Sequence, residues 1–282
     1  MQTNSTAIKK PTVSILGCGW YGLALAKRLL SAGYQVKGSS TSPEKIELLA
    51  SLSIQPFLLN FQEDAIESDP EFFQTDLLLI AIPPKRNTSE QASFLGKIQK
   101  IATLAQAQKV PQVIFISSTA VYGESNAEIT SSSPAIPDTA SGKAMLETEQ
   151  WLSSNPSFTT TILRFAGLIG PGRNPGRFFA GKQDIPNGQA PVNLVHQEDC
   201  VEFTLALIEQ AAFGHIYNVC SPDHPSKQVF YVKAAQQAQL PLPAFNDELL
   251  NWKIVSGAPS NTALQYQYRI ADFSEWMDRN KF

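Results

Sequence analysis

Apolar and polar positions follow two alternating rhythms over the first two thirds of the chain. Thr12 to Leu16 is a short β-branched and apolar run, as a buried strand requires. After Gly17-Cys18-Gly19-Trp20-Tyr21-Gly22 the period changes. Leu23, Ala24, Leu25, Ala26, Leu29 and Leu30 form a helical stripe that stops at Gly33. The same switch recurs: strands are predicted at 35–38, 56–61, 76–82, 113–117 and 159–165, and helices at 43–52, 89–108 and 141–153. Ser42 is placed to cap the helix at 43–52, with Pro43 at its first position. Strands alternating with helices imply right-handed crossovers and a doubly wound parallel sheet of the α/β class.

The pattern loosens later. Residues 170–192 are rich in Gly, Pro, Arg and Asn; a helix at 199–210 and a strand at 215–219 then restore the rhythm. From Ser221 the chain holds four prolines up to Pro243, then short mixed elements. The expected division is a main domain of residues 1–170, to which 193–220 returns. A small substrate-binding cap is expected from 171–192 and 221–282. At 282 residues the chain matches this two-part plan and buries a sizeable core.

Charge and composition narrow the function classes. Lys and Arg number 22 against 25 Asp and Glu, a net charge of −3, which disfavours nucleic acid as a partner. The longest apolar stretch, Leu77 to Ile82, stops at Pro83-Pro84 and is too short to span a bilayer. The opening MQTNSTAIKKP lacks the apolar region of a signal peptide. Cys18, Cys200 and Cys220 are few and widely spaced, giving neither a disulfide framework nor a zinc spacing. A soluble, cytoplasmic protein without a metal site is expected.

Gly17, Gly19 and Gly22 form G-x-G-x-x-G between a predicted strand and a predicted helix, the context that gives this motif its meaning. The first glycine allows a tight turn, the second lets a pyrophosphate approach the backbone, and the third lets helix and strand pack closely. The helix N-terminus offers bare N–H groups to the phosphates. A dinucleotide-binding Rossmann domain follows. A carboxylate about 20 residues on would select NAD. Here stand Gly38-Ser39-Ser40-Thr41-Ser42, with no carboxylate before Glu44. Hydroxyls at Ser39, Ser40 and Thr41 suit a 2′-phosphate, so NADP is preferred over NAD. The cation that would complete such a site is left to Lys37, Lys45 or Arg86.

From the glycine loop to about Ser221 the sequence resembles the extended short-chain dehydrogenase/reductases, the NAD-dependent epimerase/dehydratase family. The resemblance rests on Phe115-Ile116-Ser117-Ser118-Thr119-Ala120-Val121-Tyr122-Gly123, Leu163-Arg164-Phe165 with Gly170-Pro171-Gly172, His196 with Asp199, and Tyr217-Asn218-Val219. GCGWYG, Ala81-Ile82-Pro83-Pro84 and GPGRNPGRF look like an atypical subgroup. Family members use a Tyr-x-x-x-Lys pair, with a Ser or Thr ahead of it. The resemblance puts that Ser at Ser118. Anchoring the following helix on Glu149-Gln150-Trp151-Leu152 puts Ser141 at the Tyr position and Met145 at the Lys position; a shift of two gives Thr139 and Lys143. Neither register yields the pair. Such acid–base help is worth about 10²- to 10⁴-fold in rate, so its loss is a central feature of the sequence.

Candidate catalytic residues are therefore Ser118, Ser141, Lys143 and Tyr122, the last as a direct acid or as a packing or substrate contact. Trp20 and Tyr21 are either packing or shields of the pyrophosphate, and Asn60, Ile82 and Pro83 join them as cofactor candidates. In relatives, the stretch holding Arg173, Arg177 and Lys182 lines the substrate cleft. Arginine forks suit phosphate or carboxylate, so a small anionic substrate is one reading; side chains that are solvated or paired with local acids are the other. His196 reads as structural, and Asp199 as a first-turn acid favoured by the helix dipole. Relatives often dimerise through helices flanking the sheet, so a homodimer is one expectation. Three functions stay open: an NADP-dependent oxidoreductase or epimerase with a non-standard acid, a catalytically silent NAD(P)-binding sensor or scaffold, and a lyase or isomerase that keeps its cofactor bound.

Overall fold

The computed structural model describes residues 10–61, 66–84 and 90–279. Seven strands form one parallel sheet: β1 (Thr12–Leu16), β2 (Gln35–Ser40), β3 (Gln55–Leu58), β4 (Leu77–Ile80), β5 (Gln112–Ser118), β6 (Thr159–Phe165) and β7 (Ile216–Val219). Their order is β7-β6-β5-β4-β1-β2-β3, and every pair is parallel. The order reverses between β1 and β4. Right-handed crossovers then throw helices onto both faces and open a crevice above the strand ends at that reversal. β1 is buried on both faces, as its unbroken apolar run requires. Val13 and Ile15 are fully buried, and Ser14 satisfies its hydroxyl by donating to the Phe72 carbonyl at 2.7 Å.

The helices are α1 (Trp20–Ser31), α2 (Pro43–Ser51), α3 (Glu90–Ala107), α4 (Ala140–Ser154) and α5 (Gln197–Glu209). α1 packs on α5 and α3 packs on α4. α1 buries Tyr21, Leu25, Ala26 and Leu29, the inward part of its apolar stripe. His196 caps α5, its Nδ1 accepting from the Glu198 N–H at 3.2 Å. Asp199, in the first turn, is wholly buried. Its carboxylate accepts from the Tyr266 hydroxyl at 2.8 Å and from the N–H groups of Arg269 at 2.7 Å and Ile270 at 3.1 Å. It thus ties the C-terminal segment to the main core. Burial still holds its pKa above the usual carboxylate value.

The predicted third strand is cut short: β3 ends at Leu58, and Asn60–Phe61 pairs antiparallel with Ile66–Glu67. Beyond Ser221 the chain is more regular than its prolines suggest, with α6 (Lys227–Gln237), α7 (Ala258–Leu264) and α8 (Phe273–Arg279). Ser226 caps α6 by accepting from the Val229 N–H at 3.3 Å, and Phe230 and Ala234 face inward one turn apart. These two join Ile169, Val192, Leu194, Ile270, Phe273 and Met277 in a second, smaller apolar cluster. No helix among the described residues is long and apolar enough to cross a membrane.

Behind the strand ends lies a buried ionic knot. Arg164 on β6 and Glu149 on α4 pair with side chains 4% and 3% exposed, and the Ser117 hydroxyl also donates to Glu149. A buried pair adds little over an apolar substitute, but orphaning one partner leaves an uncompensated charge. Arg164→Met is expected to lower unfolding free energy by about 3–5 kcal/mol, and Arg164→Met with Glu149→Leu to recover most of that loss. Urea denaturation of the two variants checks this; equal losses in both would contradict it.

Candidate dinucleotide site

The glycine loop is shaped by contacts that exclude side chains. Gly17 sits at φ +99°, and a Cβ there would lie 2.9 Å from Ile82 Cγ2. A Cβ on Gly22 would lie 2.3 Å from the Gly17 carbonyl oxygen, closer than any real contact. These two constraints fold the loop tightly over β1 and press α1 against it. Gly19, by contrast, is exposed with nothing near its missing Cβ. It precedes α1 without a side-chain cap, and the first turn carries no acid. The bare N–H groups and the positive dipole end of α1 therefore face outward beside Gly19, the arrangement that accepts a phosphate.

A groove of about 410 Å³ opens beside this end. Its lining includes Gly19, Trp20, Leu23 and Lys27 on one side, Lys45 and Leu48 from α2 on the other, and Pro171 and Gln197. Among the described residues, none that lines it is acidic. Cys18 lines it too, its thiol buried and pushed up to about 12 by that burial. Sequence reading passed over Lys27. Its spacing from Trp20, Leu23 and Ala24 puts it on their side of α1, and that was the available signal.

The residues after β2 divide. The Ser39 side chain turns inward, 2% exposed, and its hydroxyl accepts from the Gly17 N–H at 3.0 Å. It holds the glycine loop and is not presented to the cleft. Ser40 Oγ accepts from the Ser42 N–H at 3.0 Å, and Thr41 is exposed. The Glu44 carboxylate is taken by the Ser42 hydroxyl. Lys37 is buried and gives its ammonium to the Glu71 and Gln74 carbonyls at 2.5 and 2.8 Å, so it is not the missing cation. Lys45 lies in the groove; Arg86 lies outside the described residues. Asn60 and Ile82 are half-buried and Pro83 is exposed, Ile82 closing over Gly17. The Tyr21 side chain is packing: its hydroxyl meets Thr204 Oγ1 at 2.8 Å inside the α1–α5 contact. Trp20 instead borders the groove, its indole N–H donating to the Pro171 carbonyl at 2.6 Å.

The catalytic candidates separate as sharply. Thr139 caps α4, its Oγ1 accepting from the Gly142 N–H at 3.1 Å. Lys143 points from the exposed face of that helix. In the shifted register the Tyr position is thus the helix cap and the Lys position an exposed side chain. Ser141 and Met145 stand one turn apart on the inward side, Ser141 half-buried and Met145 buried. Tyr122 is 1% exposed. Its hydroxyl accepts from Arg164 at 2.6 Å and faces Asn218 Oδ1 at 3.0 Å and the Thr130 carbonyl at 3.1 Å. Enclosed this way, it is a structural strut and not an acid presented to substrate. Ser118 is half-buried at the end of β5, accepting from the Ala120 N–H at 3.2 Å, which leaves its own proton to donate. Arg173 and Arg177 are both exposed but part company: Arg173 lies over Trp20, while Arg177 sits on a short turn against α6.

Tyr122→Phe is expected to destabilise the protein by about 1–3 kcal/mol, because Arg164 and Asn218 lose a buried partner. Dinucleotide affinity is expected to be unchanged. Denaturation and calorimetric titration check the pair; unaltered stability with a weakened ligand complex would contradict this placement.

Comparison with known proteins gives the same framework. Residues 12–120 match the family described as "NADP oxidoreductase coenzyme F420-dependent". Protein YeeZ of Escherichia coli (strain K12) is 38% identical over 265 residues, covering 92% of this chain and 96% of YeeZ. A conserved Silicibacter pomeroyi protein of unknown function is 25% identical with a TM-score of 0.76, covering 96% and 98% of the two chains. The UDP-glucuronic acid 4-epimerase of Bacillus cereus, solved with NAD, superposes with a TM-score of 0.78 at 18% identity, over 95% of this chain and 94% of that one. The chain belongs to the same family as protein YeeZ, and its fold is the one shared by the NAD-dependent epimerase/dehydratase and short-chain dehydrogenase/reductase structures.

Proposed function

We propose that the protein binds NADP in preference to NAD and acts as an oxidoreductase or epimerase on a small anionic substrate bearing a hydroxyl or carbonyl group. The observation that carries this reading is the uncapped N-terminus of α1 opening on a groove with Lys27 and Lys45 and, among the described residues, no carboxylate. The pyrophosphate would lie on the N–H groups after Gly19, and the 2′-phosphate near Lys45, with Ser40 and Thr41 alongside. Glu44, the first acid after Thr41, is turned to Ser42 and does not oppose a phosphate.

When bound, the nicotinamide supplies the hydride donor or acceptor. The chain supplies the rest. Ser118 donates its proton to a substrate oxygen, and Ser141 holds a water that relays a proton in place of the absent tyrosine. A hydroxyl is a poor acid near neutral pH, so turnover is expected to be slow beside enzymes with a positioned acid. Residues 171–192 and 221–282 are taken as the cap over the substrate, with exposed Arg177 on its anionic group. The B. cereus neighbour binds UDP-glucuronic acid in a structure with NAD, which makes sugar nucleotides the first compounds to try.

A second reading is favoured by Met145. A buried thioether where relatives carry the lysine leaves nothing to hold a nicotinamide ribose or lower an acid's pKa. On that reading the protein is a dinucleotide-binding sensor or scaffold.

Calorimetric titration of nucleotide-stripped protein is expected to give saturable binding with NADP tighter than NAD. Lys45→Glu is expected to reverse the preference, shifting the affinity ratio by about tenfold or more. Binding of neither dinucleotide would end both readings. Assay of the bound protein against sugar nucleotides and carbonyl compounds, by NADPH absorbance and mass spectrometry, separates enzyme from sensor. Tight cofactor binding without conversion of any compound would leave the sensor.

A further inference from the structure

Lys27 stands two turns into α1, on the side that Trp20, Leu23 and Ala24 present to the groove. Lys45, in the first turn of α2, lines the opposite wall. Leu23, Ala24, Leu48 and Leu49 supply the apolar surface between them. Both lysines are exposed. Burial raises the Cys18 thiol and the charge of Lys45 works against that rise, so this ammonium lies toward the glycine loop.

Neither ammonium has an ion-pair partner among the described residues, whereas Lys10, Arg28, Lys233 and Lys253 each hold a carboxylate. The helix spacing explains this. Side chains three and four positions apart are the ones that meet. For Lys27 these are Leu23, Ala24, Leu30 and Ser31; for Lys45 they are Thr41, Ser42, Leu48 and Leu49. None is acidic. Two acids nearby are spent: Arg28, next to Lys27, takes Glu202 at 2.6 Å, and the Glu44 carboxylate faces Ser42. Glu47, two positions from Lys45, falls on another side of α2. Two like charges across an apolar groove repel, and walls of low polarity focus their field. An anion between them removes that cost.

We propose that Lys27 is a specificity-determining residue of the dinucleotide site, the second cation of a two-lysine clamp that closes with Lys45 on the 2′-phosphate. This rests on the cofactor reading above and adds to it a residue from the wall facing the hydroxyls after β2. A phosphate monoester carries close to two negative charges at neutral pH, which two ammonium groups match and one does not. An ammonium is a point charge on a flexible stem, so each lysine can follow the phosphate without the fixed fork of an arginine. Lys37 is withdrawn into the fold by the Glu71 and Gln74 carbonyls, so the clamp takes its second charge from α1 instead. NAD, with a hydroxyl at that position, gains nothing from either lysine.

Titration of the stripped, full-length protein with NADP, NAD, 2′-AMP and 5′-AMP tests this. Lys27→Met is expected to weaken NADP and 2′-AMP by about fivefold, and to leave NAD, 5′-AMP and the unfolding midpoint unchanged. Lys27→Arg, which keeps the charge, is expected to keep most of the affinity. The salt dependence of NADP binding is expected to flatten in Lys27→Met while that of NAD stays the same. Lys109→Met removes an equal charge from an exposed position just past α3 and is expected to leave the ratio of NADP to NAD affinity at the parental value. An unchanged ratio in Lys27→Met, whether neither dinucleotide weakens or both weaken alike, overturns the proposal while a parent that prefers NADP leaves the cofactor reading standing. A loss in Lys109→Met as large as that in Lys27→Met also overturns it, since net charge would then account for both. A parent that binds NADP and NAD equally overturns the clamp together with the NADP preference, and one that binds neither overturns the cofactor reading as well.

Discussion

The contact of Gly22 with the Gly17 carbonyl sets the geometry on which the rest depends. A Cβ at Gly22 would stand 2.3 Å from that oxygen, so only glycine lets α1 start this close to the end of β1. The approach fixes where α1 begins, and hence where its unpaired N–H groups point. It also brings Trp20 to the edge of the crevice, within reach of Pro171 and Gln197. The sheet supplies the platform, but the site exists because two backbones touch without a side chain between them.

A second constraint works on the other side of β1. Arg164, Glu149, Ser117, Tyr122 and Asn218 fill the space beneath the end of β5 with mutually satisfied polar groups. Such a knot is sensitive to the loss of any member. It consumes the one tyrosine near the expected catalytic segment and leaves Ser118 as the polar group at the strand end. The chemistry open to the protein is therefore set as much by what the knot withdraws as by what the cleft presents.

The main sheet was legible because each strand and helix carries its own period. Seven parallel strands emerge where apolar runs predict them, with β3 ending at Leu58 instead of running on to Phe61. The glycine loop was legible because its three glycines act locally. α6 was not: prolines flank it, and it buries only Phe230, Ala234 and Ala235, too few for a clear stripe. Long-range partnerships were equally hidden. Nothing near Asp199 points to Arg269 and Ile270, and nothing near Ser39 shows that its hydroxyl is spent on Gly17. Alternation along β2 gives that second fact only once one knows which face the loop crosses.

A crystal structure of the protein grown with NADP reads the dinucleotide site most directly. The pyrophosphate is expected on the Trp20 and Tyr21 N–H groups, the 2′-phosphate toward Lys45, and the nicotinamide facing Ser118 and Ser141. A nucleotide bound elsewhere, or a glycine loop left bare at saturating NADP, would contradict the reading of the loop as a phosphate cradle.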